Sequence, residues 1–223
     1  MKKSLLFLIL LLPVNFLCLK AFAQVDYKPN NEIEAFRKLD STNPPPKNGI
    51  LFIGSSSFTK WKDLEKTFAS YQAINRGFGG STLTDAIYYV NDLVGTYQPR
   101  QIVVYSGEND IAYSNVPADT VLHRFETLFT LIRQKLPFVP IAFISIKPSP
   151  SRAKFQQTVI GSNKLIKKYL RGQQKTAFIN VYSRMLDKKK QMRPELYIAD
   201  QLHMNEKGYQ IWTKAIKPYL IKP

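Results

Sequence analysis

Metal ligands and reactive thiols are scarce in this sequence. The 223 residues include one cysteine, Cys18, and two histidines, His123 and His203. Two histidines this far apart, with no cysteine between them, do not have the spacing of a zinc site. The Gly-Lys-Ser sequence of a phosphate-binding loop is also missing. The sequence therefore predicts an activity that uses no metal and no cofactor.

The N-terminus has the pattern of a cleavable signal peptide. Two lysines precede an apolar run, residues 5–12, that is too short to span a bilayer comfortably, and Ala21-Phe22-Ala23 matches an A-x-A cleavage site. We expect a signal peptide over residues 1–23, an N-terminal arm over 24–48 and one folded domain over 49–223. Cleavage would direct the chain to the periplasm or outside the cell, with no transmembrane span and no cysteine left. A retained signal anchor is the alternative.

Acidic residues are half as numerous as basic ones. The sequence has 16 Asp and Glu against 32 Lys and Arg, which gives a formal net charge of +16. Such a surface would be attracted to anionic cell envelopes. Nucleic acid is not an expected partner, because no nucleic-acid motif accompanies the charge and export argues against it. The lysines are scattered along the chain, so a solvated, solubilising surface is the favoured interpretation.

Short apolar runs alternate with helical patterns after residue 49. The runs are rich in β-branched or aromatic residues, as in parallel strands buried on both faces, and they cover residues 50–53, 73–75, 102–105, 141–144 and 177–181. Between and after them, apolar residues repeat at helical spacing in sets that start at Leu83, Val121, Phe155 and Tyr209. Another short helix is expected around residues 32–39. The pattern predicts an α/β fold, a three-layer α/β/α sandwich with a central parallel, flavodoxin-like sheet of about five strands.

Polar blocks follow three of these strands, and a fourth precedes the last helix. They are residues 54–57, 75–81, 106–110 and 200–203. Ligands bind such sheets beyond the carboxyl ends of the strands. A serine at a strand-to-helix turn lies near exposed backbone N–H groups. In the last block, Asp200 can hold the His203 imidazole in one tautomer and stabilise its protonated form. Acyl transfer needs such a hydroxyl, a base and donors for an oxyanion.

The four blocks, in this order, resemble those of the SGNH (GDSL-like) esterase and lipase family over residues 49–209. The resemblance implies an SGNH-type hydrolase domain in which Ser56, at the serine of the family's Gly-Asp-Ser, is the nucleophile. It implies that Asp200 and His203, which match Asp-x-x-His, complete the catalytic triad. It also implies an oxyanion hole formed by the backbone N–H groups of Ser56 and Gly80 and by the side-chain amide of Asn109.

Each block has a simpler interpretation when it is taken alone. Ser56 could be only a helix N-cap, Gly80 a turn residue, Asn109 a turn or cap residue and His203 a surface residue. Their joint placement at strand ends favours a site. The chain departs from the family at Ser55, which stands where the family usually has Asp outside the triad. Three successive serines therefore compete for the role of nucleophile.

Four further residues are candidates for the same region. Helical spacing, at about 100° per residue, places His123 nearly opposite the apolar face of its helix, so we expect it to be solvated. Lys147 and Arg152 follow the fourth strand and could contact an anionic or sugar substrate, but a rigid proline turn is the favoured interpretation. Arg76 could bind substrate or make a structural contact with a loop carboxylate.

The sequence predicts an exported serine esterase that hydrolyses carboxylic esters through an acyl-enzyme. Candidate substrates are short-chain acyl esters, acetylated carbohydrates and lysophospholipids. The segments after the active-site strands are short and polar, without an aliphatic lid, which favours acetyl to butyryl esters. The alternative is a non-catalytic glycan- or anion-binding protein on the same fold. A flavodoxin-like nucleotide-binding module is less favoured, because it gives no role to Asp200 and His203.

Overall fold

The computed structural model of the chain describes residues 30–223. The predicted signal peptide, residues 1–23, and the first residues of the predicted arm lie outside the described residues. Across residues 30–223, no helix combines the length and the apolar character needed to cross a membrane.

Five parallel strands form the central sheet, which confirms the predicted fold class. The strands are β1 (Ile50–Gly54), β2 (Ala73–Gly77), β3 (Gln101–Tyr105), β4 (Ile141–Ile144) and β5 (Thr176–Ile179). Their order in the sheet is β2-β1-β3-β4-β5, the flavodoxin-like order. Gly54 at the end of β1 pairs with Gly77 on one side and Tyr105 on the other. Three strands therefore end level, and the loops that follow them start from the same edge.

Helices cover both faces of this sheet. Those within the described residues are α1 (Asn31–Thr42), α2 (Ser56–Thr59), α3 (Leu64–Thr67), α4 (Leu83–Tyr88), α5 (Val90–Val94), α6 (Glu108–Ser114), α7 (Ala118–Lys135), α8 (Gln156–Arg171) and α9 (Glu206–Ile216). The apolar set that starts at Leu83 forms two helices rather than one. The break is at Tyr89, whose ψ of 16° is not helical and whose ring packs edge-on against Phe78.

Alternate side chains of the buried strands fill two apolar clusters on opposite faces of the sheet. Ile53 lies in the cluster covered by α4, α5, α7 and α8. Phe52 lies in the other, which is covered by α2, α3 and α9. In that second cluster the ring of Trp212 is fully buried, 4.8 Å from the ring of Tyr105, and its Nε1 donates to Sδ of Met185 at 3.2 Å. These contacts fix α9 against the sheet.

Helix α1, in the predicted arm, packs against the sheet domain. Its Ile33 is buried, and the carboxylate of Asp40 accepts hydrogen bonds from the buried Arg76 and from the hydroxyl of Tyr97. Glu32 accepts a hydrogen bond from the backbone N–H of Gly79 at 2.5 Å. Arg76 thus makes a structural contact, and its partner belongs to a helix rather than to a loop.

Candidate active site

Ser56 begins α2, and only Ser55 separates it from the end of β1. A Cβ added to Gly54 would lie 2.0 Å from the carbonyl oxygen of Tyr105, so only glycine lets the chain turn here. The three successive serines differ in exposure: Ser55 and Ser57 are buried, whereas Ser56 is half-buried. Of the three hydroxyl-bearing residues, Ser56 is the one that a solvent-borne substrate can reach.

The structure brings Ser56, His203 and Asp200 together in one hydrogen-bonded chain. Nε2 of His203 lies 2.9 Å from Oγ of Ser56, and Nδ1 of His203 lies 2.6 Å from Oδ2 of Asp200. The other carboxylate oxygen of Asp200 accepts the backbone N–H groups of Leu202 and His203 at 2.9 and 2.8 Å. The contacts are those of a hydroxyl, a base and a carboxylate that orients the base.

The environment of Asp200 keeps its carboxylate ionised. Partial desolvation alone would raise the pKa of Asp200. The hydrogen bonds from the His203 ring and from two backbone N–H groups outweigh that effect and lower the pKa to about 2. At neutral pH the group therefore carries a negative charge, which can stabilise a positive charge on the imidazole ring.

Hydrogen-bond donors that the described residues leave available belong to Ser56, Gly80 and Asn109. Within residues 30–223, the backbone N–H groups of Ser56 and Gly80 have no acceptor. Gly80 has a φ of +69°, and a Cβ there would meet only the hydroxyl of Tyr113, at 4.0 Å. The side-chain amide of Asn109 donates to the carbonyl of Ser81 at 2.9 Å, which orients the amide. An amide nitrogen has two hydrogens, so one remains for a substrate oxygen.

The first turn of α6 contacts the start of α4 and the loop before it, helix α7 and the segment after β4. The side chain of Asn109 donates a hydrogen bond to the carbonyl of Ser81. Asp110, which is fully buried, accepts the backbone N–H of Leu83 at 2.8 Å and pairs with Arg124 at 2.7 Å. Glu108 reaches the other way, to the segment after β4. The orientation of Asn109 is therefore fixed by contacts on both sides of it.

Glu108 and Lys147 form a buried ion pair that the sequence did not reveal. Nζ of Lys147, 1% exposed, lies 2.7 and 3.0 Å from the two oxygens of Glu108. Ser149 and Tyr105 donate their hydroxyl groups to the same carboxylate, Tyr105 at 2.7 Å. Burial alone would raise the pKa of Glu108, but the charges of Lys147 and Arg152 outweigh it, and the pKa lies below its usual value.

Two further candidate residues from the sequence, Lys147 and His123, lie outside the hydrogen-bonded chain of Ser56, His203 and Asp200. Lys147 points into its ion pair with Glu108 rather than toward solvent, and Pro150 begins a 3₁₀ turn, Pro150–Phe155, that leads into α8. His123 is exposed on α7. In the part of the chain that the structure describes, no three His, Cys, Asp or Glu residues are grouped so that they could hold a metal ion.

Solved structures of several proteins are similar to this chain. A Streptococcus pneumonia protein whose name refers to platelet activating factor has a TM-score of 0.75 and 25% identity, over 86% of this chain and 92% of that one. A GDSL-like lipase from Bacteroides thetaiotaomicron has a TM-score of 0.72 and 21% identity, over 84% and 96%. A Clostridium thermocellum family 3 carbohydrate esterase has a TM-score of 0.61 and 16% identity, over 78% and 98%. No curated protein matches the sequence significantly.

The site joins a serine, a histidine and an aspartate by hydrogen bonds at the carboxyl edge of a parallel sheet. This is the arrangement that defines the class of serine hydrolases. A family model matches most of the chain. Residues 52–211 match the GDSL-like lipase/acylhydrolase family, and the chain belongs to this family. The protein is accordingly a hydrolase of carboxylic esters.

Proposed function

We propose that the protein hydrolyses esters with Ser56 as nucleophile, His203 as general base and Asp200 as the group that orients His203. The observation that carries this proposal is the 2.9 Å contact between Oγ of Ser56 and Nε2 of His203, with Asp200 on the opposite ring nitrogen. A glycan- or anion-binding protein on the same fold would not need this chain of contacts.

The reaction proceeds in two acyl transfers. His203 takes the proton of Ser56 while Oγ attacks the ester carbonyl, and the tetrahedral intermediate places its negative oxygen before the N–H groups of Ser56 and Gly80 and the amide of Asn109. His203 then gives the proton to the leaving alcohol, and an acyl-enzyme remains. Water, deprotonated by His203, attacks that acyl group, and the acid leaves as Ser56 regains its proton.

The surroundings of Ser56 support a small acyl group. A long acyl chain needs a deep apolar groove. The segment after β4 instead directs Lys147 and Ser149 into a buried polar cluster. Two exposed hydrophobic residues, Tyr113 next to Gly80 and Ile198 next to His203, border the site residues. We propose short acyl esters, including acetylated carbohydrates, as substrates. The signal-peptide pattern supports export, and a mature N-terminus at Gln24 would establish it.

The test is a series of 4-nitrophenyl esters from acetate to palmitate, together with acetylated sugars. Ser56→Ala should lower kcat by at least about 10³-fold without unfolding the protein, because triad members act as a unit. The matched control is Ser41→Ala, an exposed serine on α1 that should leave kcat unchanged. A fluorophosphonate should label Ser56. Labelling of Ser55 or Ser57 would overturn the assignment, and a rate that rises toward palmitate would refute the proposed acyl size.

A further inference from the structure

Arg152 is a nearly buried cation without a hydrogen-bond acceptor. Its side chain is 12% exposed, and its nearest carboxylate oxygen, Oε1 of Glu108, is 3.7 Å away, beyond hydrogen-bond range. No acceptor for its side chain occurs anywhere in residues 30–223. A guanidinium has five N–H donors, and within residues 30–223 those of Arg152 are not among the buried side-chain atoms that lack a partner, so solvent reaches them. The donors of Arg152 are therefore available to a bound molecule.

Two cations and one carboxylate meet at Arg152. Glu108 already has Lys147 at 2.7 Å, so two cations surround one carboxylate. Of the two other carboxylates near this cluster, Asp110 pairs with the cation of Arg124. Asp200 is ionised and bonded to the ring of His203, which is neutral when it acts as a base, and its negative charge also acts on Lys147. Glu108, Lys147 and Arg152 together carry one net positive charge, which an anion bound at Arg152 would neutralise at closer range than Asp200 does.

Contacts on one side connect Arg152 to the proposed oxyanion hole. Its guanidinium carbon lies 5.5 Å from the ring centre of Tyr113. Tyr113 follows Asn109 by four residues on α6, so both occupy the same face of that helix. The hydroxyl of Tyr113 also lies next to Gly80, 4.0 Å from where a Cβ would stand. Tyr113 itself is 64% exposed, so this side of the cluster is open to solvent.

Contacts on the other side connect Arg152 to the loop that carries the proposed base. Ser151, its neighbour in the chain, donates both its backbone N–H and its hydroxyl to the carbonyl of Gln201, each at 3.1 Å. Gln201 lies directly after Asp200 in the loop that ends at His203. Arg152 therefore lies between Tyr113, whose hydroxyl borders Gly80, and the loop that carries Asp200 and His203.

We propose that Arg152, stacked on Tyr113, is a subsite for a carboxylate of the ester substrate. The planar guanidinium matches a carboxylate with two parallel hydrogen bonds, and partial burial strengthens both. The inference deepens the proposed function and rests on it, since Ser56 would attack the same ester that Arg152 holds. The carboxylate can belong to the acyl group, as in a half-ester of a dicarboxylic acid, or to the alcohol, as in an acidic sugar.

Two pairs of substrates distinguish these sources. The acyl-side pair is mono(4-nitrophenyl) succinate and 4-nitrophenyl butyrate, which are similar in length and differ in charge. The alcohol-side pair is the acetyl ester of glucuronic acid and that of glucose. We expect a preference for the anionic member in one pair. Arg152→Gln should raise KM for that member about 10- to 100-fold, the effect of a charged hydrogen bond, and change KM for its neutral partner less than about threefold.

Arg152→Lys and Arg171→Gln complete the set of variants. Arg152→Lys keeps the charge but not the two parallel bonds, so its loss should be intermediate, and it decides the question if Arg152→Gln does not fold. Arg171 is exposed at the far end of α8 and serves as the matched control, with no expected change. The proposal is overturned if neither pair shows a preference, if Arg152→Gln weakens charged and neutral esters equally, or if Arg171→Gln has the same effect.

A binding measurement separates this inference from the proposed catalysis. In the Ser56→Ala background, calorimetry with free succinate and free glucuronate should show binding that Arg152→Gln removes. If the wild-type protein hydrolyses none of the esters but this binding is present, the catalytic proposal fails and the subsite stands. If the neutral esters are hydrolysed and neither acid binds, the subsite fails and the catalytic proposal stands.

Discussion

Removing one partner of the buried pair between Glu108 and Lys147 should destabilise the protein far more than removing both. Glu108→Gln leaves the ammonium of Lys147, 1% exposed, without a negative charge. Leaving one charge of a buried pair without its partner costs about 3–5 kcal/mol. At about 2–4 °C for each kcal/mol in a domain of this size, the expected decrease in Tm is about 6–20 °C.

The double variant Glu108→Gln/Lys147→Met removes both charges and nearly preserves both shapes. Because the desolvation cost of both ions also disappears, we expect its free energy of unfolding to lie within about 1–2 kcal/mol of the wild-type value. Urea denaturation provides the assay, followed by tryptophan fluorescence, since Trp61 and Trp212 are buried in the cluster beneath α9. Lys147→Met completes a double-mutant cycle, whose coupling energy measures the pair.

Two outcomes would refute this reasoning about the pair. In one, Glu108→Gln costs less than about 1 kcal/mol, which would mean that water reaches the ammonium and that the site is not truly desolvated. In the other, the double variant loses the sum of the two single losses, which would mean that the side chains act independently. Glu195→Gln is the matched control, because Glu195 pairs with Arg193 at the surface and should contribute little.

Four further predictions concern the proposed site. Asp200→Asn should keep the fold by circular dichroism and lower kcat about 10³- to 10⁴-fold, because the imidazole loses its orienting charge. The pKa of Asp200 is depressed to about 2. The stabilising effect of this carboxylate is therefore complete above the unfolded pKa of about 3.9 and is lost as pH falls toward about 2. Between those two pH values, Tm should fall more steeply in the wild type than in Asp200→Asn. Gly80→Ala should cost about 1–2 kcal/mol by urea denaturation, from the left-handed φ rather than from a clash. His203→Ala should abolish ester hydrolysis, whereas the exposed His123→Ala should leave kcat within about twofold.

The fold and the meeting of the polar blocks could be predicted because both depend on local patterns. Continuous apolar runs such as residues 102–105 have few alternatives to a strand buried on both faces. Once the strands are parallel, the residues that follow them must gather at one edge, which is why Ser56 and Asn109 were predicted to share a site. His203 followed from its nearness to Asp200 in the chain, which requires no knowledge of the fold.

Contacts between distant charged residues could not be predicted in the same way. Glu108 and Lys147 lie 39 positions apart, and neither neighbourhood indicates that the other side chain will be its partner. Arg76 on β2 pairs with Asp40 on α1, whereas the sequence suggested a carboxylate in a loop as the partner. The break at Tyr89 was missed for a related reason, since the apolar spacing continues through it and only the packing of its ring against Phe78 reveals the bend.

The hydrogen bond between Ser56 and His203 joins residues 147 positions apart, and this separation bears on how the active protein is assembled. The loop that carries His203 runs directly into α9, which is held by Trp212 against the sheet. The contact between Ser56 and His203, on which the proposed catalysis depends, therefore forms only once the C-terminal helix has docked. During refolding, recovery of esterase activity should lag behind formation of the sheet. The activity itself then measures the docking of the C-terminal helix.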